Sequence, residues 1–266
     1  MVRAIVLRLR DKRRVFQIIS LAISNLGFIR ILKTGFVCPF LYCHGCPFAA
    51  FGCPIGIIQT FIIYGRPPLF TIGLLGVYGT IFGRALCGWA CPFGALQDLI
   101  SHFRHGRNHK ARPVWYTKFI VLILSFAAAW YFLDTAFCKL CPSGSLFGAI
   151  IFHIINPAYI SALSSYFYIH IFTLALTILL GALISRFWCR YLCPLGAISG
   201  MFNRISIISI NLDPERCLRC NDCLESCVMG ISRVEDIGRS TDCILCGRCI
   251  VSCGSKALKY TLNIRG

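Results

Sequence analysis

The chain has 266 residues, of which 57% are hydrophobic and only 14% are charged, and its formal net charge is +17. This composition excludes an ordinary water-soluble domain and predicts a membrane protein. The basic residues flank apolar stretches instead of forming an exposed stripe, which argues against a nucleic-acid partner.

The first predicted element is an uncleaved membrane span. A basic start is followed by an apolar run, and no small-residue cleavage site comes after it. A scan for stretches of about 20 apolar residues adds three further spans. The four predicted spans are 15–33, 68–85, 115–134 and 165–185.

Two shorter apolar stretches, 47–64 and 142–156, are predicted to be re-entrant segments that enter and leave the membrane on one side. With this arrangement the basic N-terminus, the basic region from Arg84 to Lys118 and the tail all lie on the same side, as the positive-inside rule requires. The sequence therefore predicts a multi-pass protein of the inner, cytoplasmic membrane. Both termini are expected in the cytoplasm.

The chain contains 18 cysteines, mostly in C-x2-C and C-x3-C units, which favours metal or cluster ligation over a disulfide framework. Four units ahead of the tail, CHGCP, CGWACPFG, CKLCPSG and CRYLCPLG, alternate in spacing and indicate an internal duplication. Proline is favoured in the first turn of a helix, so each unit places thiolates near a helix N-terminus, where the dipole stabilises negative charge. Cys38, outside these units, is predicted to be an inert packing residue.

A parallel duplication implies a pseudo-two-fold axis, so equivalent units from the two halves face each other. We therefore expect two clusters, each shared between the halves. The inner one, at the basic side, would use Cys87, Cys91, Cys189 and Cys193, and the outer one Cys43, Cys46, Cys138 and Cys141. Cys53, in the sequence CPIG, is the alternative: it could replace a ligand or belong to a third site. A competing arrangement joins both units of one half.

The tail contains the spacing C-x2-C-x2-C-x3-C twice, as CLRCNDCLESC and CILCGRCIVSC. This segment resembles the bacterial two-cluster ferredoxins, with Val228 and Gly254 in place of the usual prolines. The resemblance implies that the fourth cysteine of each motif binds the other cluster. The implied sets are Cys217, Cys220, Cys223 and Cys253 for one cluster, and Cys243, Cys246, Cys249 and Cys227 for the other. Two zinc knuckles, the alternative, usually show paired C-x2-C units and histidine.

Over nearly its whole length the chain resembles the NapH-type membrane polyferredoxins, which are related to the membrane part of NosR. The resemblance implies an electron-transfer subunit of a larger oxidoreductase complex that exchanges electrons with redox partner subunits and the quinone pool. It also implies the family's role for the cysteines of the two C-x3-C-P units. Whether the chain itself acts as a quinol dehydrogenase stays open.

The expected fold is a duplicated all-α membrane domain over 1–205, followed by a small α+β two-cluster ferredoxin domain over 206–266. Four 4Fe-4S clusters are expected, or one more if Cys53 forms a further site. Two other functions remain as alternatives. A b-type haem could use His153 and His170, although these are more simply core histidines. A metal-handling or assembly protein would carry labile thiols and no iron.

Overall fold

The structure is a computed structural model that describes residues 2–29, 33, 36–43, 46–102, 114, 116–155 and 165–263. Parts of the predicted span 15–33, of the basic region after Arg84 and of the segment 142–156 lie outside the described residues. Helices dominate up to residue 204, and a small unit with two strands follows. This order agrees with the predicted helical region followed by an α+β tail.

The helical region contains twelve α-helices within its described residues. They are α1 (Val2–Ser24), α2 (Pro54–Ile63), α3 (Leu69–Phe82), α4 (Ala85–Trp89), α5 (Pro92–His102), α6 (Thr117–Phe132), α7 (Ala136–Leu140), α8 (Pro142–Gly144), α9 (Ile150–Ile155), α10 (Ser165–Leu183), α11 (Phe187–Tyr191) and α12 (Pro194–Met201). A π-helical stretch, Ser145–Ala149, joins α8 to α9.

The helices at the predicted spans differ from the predicted bounds. Of the helices described, α10 is the one that is long and apolar enough by itself to cross a membrane. Helices α3 and α6 have 14 and 16 residues and are shorter than the spans they occupy. Helix α1 begins before its predicted span and ends at Ser24. A Cβ on Gly27 would lie 2.3 Å from the carbonyl oxygen of Ala49, so the chain turns there and packs closely against a later loop.

Four helices begin with proline directly after a cysteine. These are α2, α5, α8 and α12, and proline suits their first turn because its missing N–H would have no helical partner. Helices α2 and α12 both pack on α6, while α5 packs on α1 and α10. The cysteine-proline helix starts are therefore gathered inside the helical region. Large apolar side chains such as Ile123, Leu124 and Phe172 remain exposed on its outside.

The tail is closed by its two strands. Strand β1 (Ile208–Leu212) pairs with antiparallel β2 (Leu258–Leu262), with Ile208 opposite Leu262. Between them lie α13 (Asp222–Glu225) and α14 (Arg248–Ser252), one within each cysteine motif. The two helices pack together, and the hydroxyl oxygens of Ser226 and Ser252 are 2.8 Å apart. The tail is thus a two-fold arrangement of equivalent halves.

Candidate iron-sulfur centres

The two cysteine motifs of the tail share one backbone conformation. The residues on either side of the second cysteine have left-handed φ angles in both: 52° and 66° at Arg219 and Asn221, and 48° and 74° at Leu245 and Gly247. Glycine and asparagine adopt this conformation at low cost. Each turn leads directly into α13 or α14, which carries the third cysteine of its motif.

Each motif lines its own cavity together with the fourth cysteine of the other motif. One cavity lies at the first motif and the other at the second. The first is lined by Cys217, Cys220, Cys223 and Cys253, and the second by Cys243, Cys246, Cys249, Cys227 and also Cys223. Four thiols around an otherwise apolar space are the donor set that a 4Fe-4S cluster requires. The geometry therefore groups these cysteines as the ferredoxin resemblance implies.

The cysteines are not arranged for single metal ions. Within the described residues, no three His, Cys, Asp or Glu side chains converge closely enough to bind one ion. In a 4Fe-4S cube each cysteine binds a different iron, so the four thiols surround a volume instead of a point. The two cavities provide such volumes.

Burial and hydrogen bonding act in opposite directions on the tail thiols. Burial raises the pKa of Cys243 to about 12. Burial also acts to raise the pKa of Cys253, but a hydrogen bond from Ser255 and nearby backbone amides outweigh it, so this pKa lies below its usual value. The sulfur of Cys253 and the hydroxyl oxygen of Ser255 are 3.4 Å apart. Binding iron at the buried thiols therefore displaces protons.

In the helical region, the four cysteines of the two C-x3-C-P units lie together. Cys91 is close enough to interact electrostatically with Cys87 and Cys189, and Cys193 interacts with the same two thiols. The two halves of the duplication thus meet at one group. We call Cys87, Cys91, Cys189 and Cys193 the inner group.

Hydrogen-bond donors and positive charge surround the inner group. The N–H of Gly94 donates to Cys91 Sγ at 3.4 Å, and the N–H of Gly196 donates to Cys193 Sγ at 3.3 Å. Gln97 Nε2 donates to Cys189 Sγ at 3.2 Å. Such donors stabilise thiolates and the net negative charge of a cluster, so the inner group fits this cofactor.

Two buried arginines hold the inner group. Arg84 is 1% exposed and donates from Nη2 to the carbonyl oxygen of Cys189 at 2.6 Å. Arg186 is fully buried and donates from Nη1 to the carbonyl oxygen of Cys87 at 3.1 Å. Arg84 Nε has no hydrogen-bond partner among the described residues, and Arg84 interacts electrostatically with Cys193. A negatively charged cluster at this group would compensate that charge.

The tail docks directly on the inner group. Cys87 packs against a buried cluster of Val228, Met229 and Ile244, as do Cys227 and Cys246 of the second tail cavity. Trp89 Nε1 donates to the carbonyl oxygen of Leu245 at 3.1 Å. The second tail cavity is therefore adjacent to the inner group, and the first tail cavity lies beyond it.

A buried ion pair fixes this docking. Lys118 Nζ, on α6, lies 2.6 Å from Asp242 Oδ1 of the tail, and both side chains are at most 4% exposed. Lys118 also donates to the carbonyl oxygen of Thr241 at 2.9 Å, and Arg84 donates to the same oxygen at 2.7 Å. Removing charged groups from water is unfavourable unless they are paired, so the segment around Asp242 has one defined position.

The remaining predicted ligands of the helical region form a second concentration of thiols. Cys138 and Cys141 both interact electrostatically with Cys43 and Cys53. Cys46, by contrast, contacts the phenol of Tyr42. The structure thus brings together Cys53, the alternative ligand, with three of the four cysteines predicted for the outer cluster.

Cys38 is buried at 3% exposure and lies between the two thiol groups, within electrostatic range of Cys53 and Cys91. Its single S–H can donate to the carbonyl oxygen of Phe40, 3.1 Å away, or to that of Gly52, 3.4 Å away. These bonds require a protonated thiol. They suit the predicted packing role.

The two histidines considered as haem ligands have local partners. His153 Nδ1 lies 2.8 Å from the carbonyl oxygen of Ala149, one turn earlier on its helix. His170 Nδ1 lies 3.0 Å from Ser145 Oγ. These contacts are typical of satisfied core histidines.

Two glutamines lie beside the thiols and were not among the residues predicted from the sequence. Gln97 contacts the inner group, and Gln59 Oε1 accepts from Cys138 Sγ at 3.5 Å. Both are buried, at 1% and 0% exposure. A signal was present in the sequence, since CPIGIIQ and CPFGALQ place glutamine at the same distance after Cys53 and Cys91.

Comparisons with known proteins match this layout. A family model described as a 4Fe-4S binding domain matches the chain twice, at residues 65–110 and 167–211. Each match contains one C-x3-C-P unit of the inner group. The uncharacterized protein MJ0750 of Methanocaldococcus jannaschii is 30% identical over 224 residues, which are 79% of this chain and 86% of that protein.

Relatives with descriptive names identify the family. The ferredoxin-type protein NapH of Haemophilus influenzae is 26% identical over 201 residues, covering 69% of this chain and 64% of NapH. Protein NirI of Paracoccus denitrificans is 31% identical over 209 residues, covering 73% of this chain and 28% of NirI. The chain belongs to the NapH-type polyferredoxins. The family resemblance drawn from the cysteine motifs is thereby confirmed. No solved structure matches this polyferredoxin.

Proposed function

We propose that this NapH-type polyferredoxin is a membrane-bound electron-transfer protein that passes single electrons between the membrane and a redox partner subunit. The adjacency of the inner group to the second tail cavity, which shares Cys223 with the first, carries the proposal. A 4Fe-4S cluster supplies reversible one-electron chemistry when bound. The chain's contribution is to hold three four-cysteine groups in a fixed order, with the first tail cavity furthest from the helices.

The helical region, 1–205, would lie in the membrane with four spans and two re-entrant segments, and the tail, 206–266, would lie in the cytoplasm. Helix α10 supports this placement, as do exposed apolar side chains on α3, α6 and α10, because such a surface is unfavourable in water. The basic residues around the inner group and α1 would then face the cytoplasm.

A large cavity near the inner group provides a candidate quinone site. It has a volume of about 500 Å³ and lies between α1, α5 and α14. Ile18, Leu21 and Leu99 line its apolar part. Its polar and charged groups belong to Arg13, Arg14, Gln17 and Asp98. An apolar pocket with a few polar groups is typical of small-molecule sites. Its lining also includes Pro92 and Arg248, which directly follow and precede Cys91 and Cys249.

Filling this cavity should slow electron exchange with quinone. Leu21→Trp places a larger side chain in the apolar part and is expected to lower the rate of cluster reduction by a short-chain quinol about tenfold. Iron content should not change. Ile23→Trp is the matched control, because Ile23 is exposed on the same helix and does not line the cavity. Equal rates in both variants would exclude this cavity as the quinone site.

The electron-transfer proposal is tested on the purified full chain by iron and acid-labile sulfide analysis together with EPR. Cys220→Ser and Cys246→Ser each should remove about four irons and one distinct reduced-state signal, because the two residues line different cavities. A chain with reactive thiols and no iron would support metal handling instead. A haem absorption band that disappears in His170→Ala would support the haem alternative.

A further inference from the structure

We infer that the helical region holds a second cluster-binding site, built by Cys43, Cys53, Cys138 and Cys141, for a 4Fe-4S cluster. We call these four residues the outer group. Neither match of the 4Fe-4S family model, at 65–110 or 167–211, includes any of them. The inference rests on the proposed function for the class of cofactor.

The helix starts of the outer group repeat those of the inner group. Cys53 and Cys141 cap α2 and α8 with φ and ψ angles of −71° and 124°, and −77° and 117°. Cys193 of the inner group caps α12 with the same extended conformation, −77° and 109°. The amides of Gly56 and Gly144 face the thiols of Cys53 and Cys141. Neither amide reaches the hydrogen-bonding geometry found at Cys193.

A glutamine occupies an equivalent position in the inner and the outer group. Gln97, on α5 after Cys91, reaches the first cysteine of the opposite half's unit, Cys189. Gln59, on α2 after Cys53, reaches the corresponding cysteine, Cys138. Gln59 is fixed by its donation to the carbonyl oxygen of Ser125 at 3.2 Å. In both groups a glutamine therefore contacts the first cysteine of the opposite half's unit, through its amide nitrogen at Cys189 and its carbonyl oxygen at Cys138, and Cys53 occupies the position that Cys91 has in the inner group.

Cys43 is held against the other three cysteines by close backbone packing. A Cβ on Gly148 would lie 2.7 Å from Cys43 Sγ, so only glycine admits the sulfur there. Gly148 belongs to the π-helical stretch, a distortion frequent at functional sites. The loop that carries Cys43 is fixed by stacking of Tyr42 on Phe147, with ring centroids 5.0 Å apart.

Cys46 lacks the helix start that Cys53 and Cys141 share. It is followed by a turn and not by a helix, and Ala49 stands where the other Cys-Pro units have glycine. Its thiol contacts Tyr42, whose hydroxyl donates to Asn25 Oδ1 at 2.8 Å. Cys46 is as buried as Cys53, at 4% against 6% exposure, so burial alone does not separate them. The residues that surround each thiol do separate them.

The test compares Cys53→Ser with Cys46→Ser in the full chain, by iron and sulfide analysis and EPR. We expect about 16 irons in the wild type, a loss of about four in Cys53→Ser and none in Cys46→Ser. The signal lost in Cys53→Ser should be the one lost in Cys138→Ser and should persist in Cys189→Ser. A loss in Cys46→Ser with retention in Cys53→Ser would overturn the inference.

If Cys53→Ser fails to accumulate, two glutamine variants test whether the outer group binds a cluster. Gln59→Leu removes the contact with Cys138 and should shift the midpoint potential of the outer signal alone, whereas Gln97→Leu should shift that of the inner signal alone. No shift of any signal in Gln59→Leu contradicts the site. About 12 irons in the wild type, all kept in Cys53→Ser, would defeat this inference and leave the proposed function standing. A chain without iron would defeat both.

Discussion

Replacing Gly88 with alanine is expected to separate the tail from the inner group without removing any cysteine. Gly88 lies in α4 between Cys87 and Cys91, and a Cβ there would lie 2.3 Å from the carbonyl oxygen of Ile244. That oxygen is backbone, so it cannot move aside as the end of a flexible side chain could. The tail must therefore shift at the point where α4 meets Ile244 and Cys246.

The shift should slow electron transfer across the docking face. Displacements of about 1 Å at a reacting centre can lower rates by about 10²-fold. We expect the rate of electron transfer between the tail clusters and the inner-group cluster to fall tenfold or more. Rapid-freeze EPR after reduction of the tail measures this transfer. Iron content and the number of signals should match those of the wild type, because every thiol is retained.

Gly181→Ala provides the matched control. Gly181 lies within α10, and a Cβ there would meet nothing within 4 Å. Alanine is favoured over glycine in a helix interior by roughly 0.5–1 kcal/mol, so this variant should be as stable as the wild type or slightly more stable. A wild-type transfer rate in Gly88→Ala would show that the tail docks elsewhere.

The cysteine groups could be predicted from sequence because their spacing repeats. The grouping of each tail motif with the fourth cysteine of the other follows from a resemblance, and the cavities show the same grouping. The choice between Cys46 and Cys53 could not be made from spacing alone. It depends on which Cys-Pro step begins a helix, and that is decided by Gly56 and by the packing of Gln59 against α6.

Other features lay beyond the sequence because they join distant parts of the chain. Lys118 and Asp242 are unremarkable by position, yet they form the buried pair that docks the tail. Helix α1 ends at Ser24, although apolar residues continue past it in the sequence. Close packing of Gly27 on Ala49, a contact invisible in a hydropathy scan, ends the helix there.

The largest expected loss of stability comes from Asp98→Asn. Asp98, on α5, pairs with Arg13 and with Arg186, whose Nη2 lies 2.6 Å from Asp98 Oδ2. The side chains of Arg13 and Arg186 are 7% and 0% exposed. Neutralising the shared carboxylate leaves two buried cations without their partner. We expect the free energy of unfolding to fall by about 3–5 kcal/mol.

Asp134→Asn is the control for this loss. Asp134 pairs with Lys139 just after the C-terminal end of α6. The side chain of Asp134 is 44% exposed and that of Lys139 is 30% exposed. Exposed pairs contribute about 0–1 kcal/mol, so this variant should unfold like the wild type. Denaturant titration of the detergent-solubilised chain measures both variants. A loss of equal size in the two variants would show that burial of the Asp98 group does not matter.

The ion pairs of Asp98 with Arg13 and Arg186 also make the free energy of unfolding depend on pH. Burial acts to raise the pKa of Asp98, but Arg186 and then Arg13 outweigh it and hold this pKa below its ordinary value of 3.8. The folded chain therefore binds this proton less readily than the unfolded chain does. The stabilisation is complete above about pH 4 and declines as the pH falls below it. Asp98→Asn should lack this acid-dependent part, so its stability should fall less between pH 5 and pH 3 than that of the wild type.

The same variant links stability to electron transfer, because Cys246 interacts electrostatically with both Arg13 and Arg186. In Asp98→Asn their positive charge is no longer offset by the carboxylate. Positive charge near a cluster favours its reduced, more negative form, so the midpoint potential of the signal lost in Cys246→Ser should rise. The signal lost in Cys220→Ser, from the tail cavity further away, should move less. A fall in the first potential, or an equal rise in both, would contradict placement of the second tail cavity beside the Asp98 group.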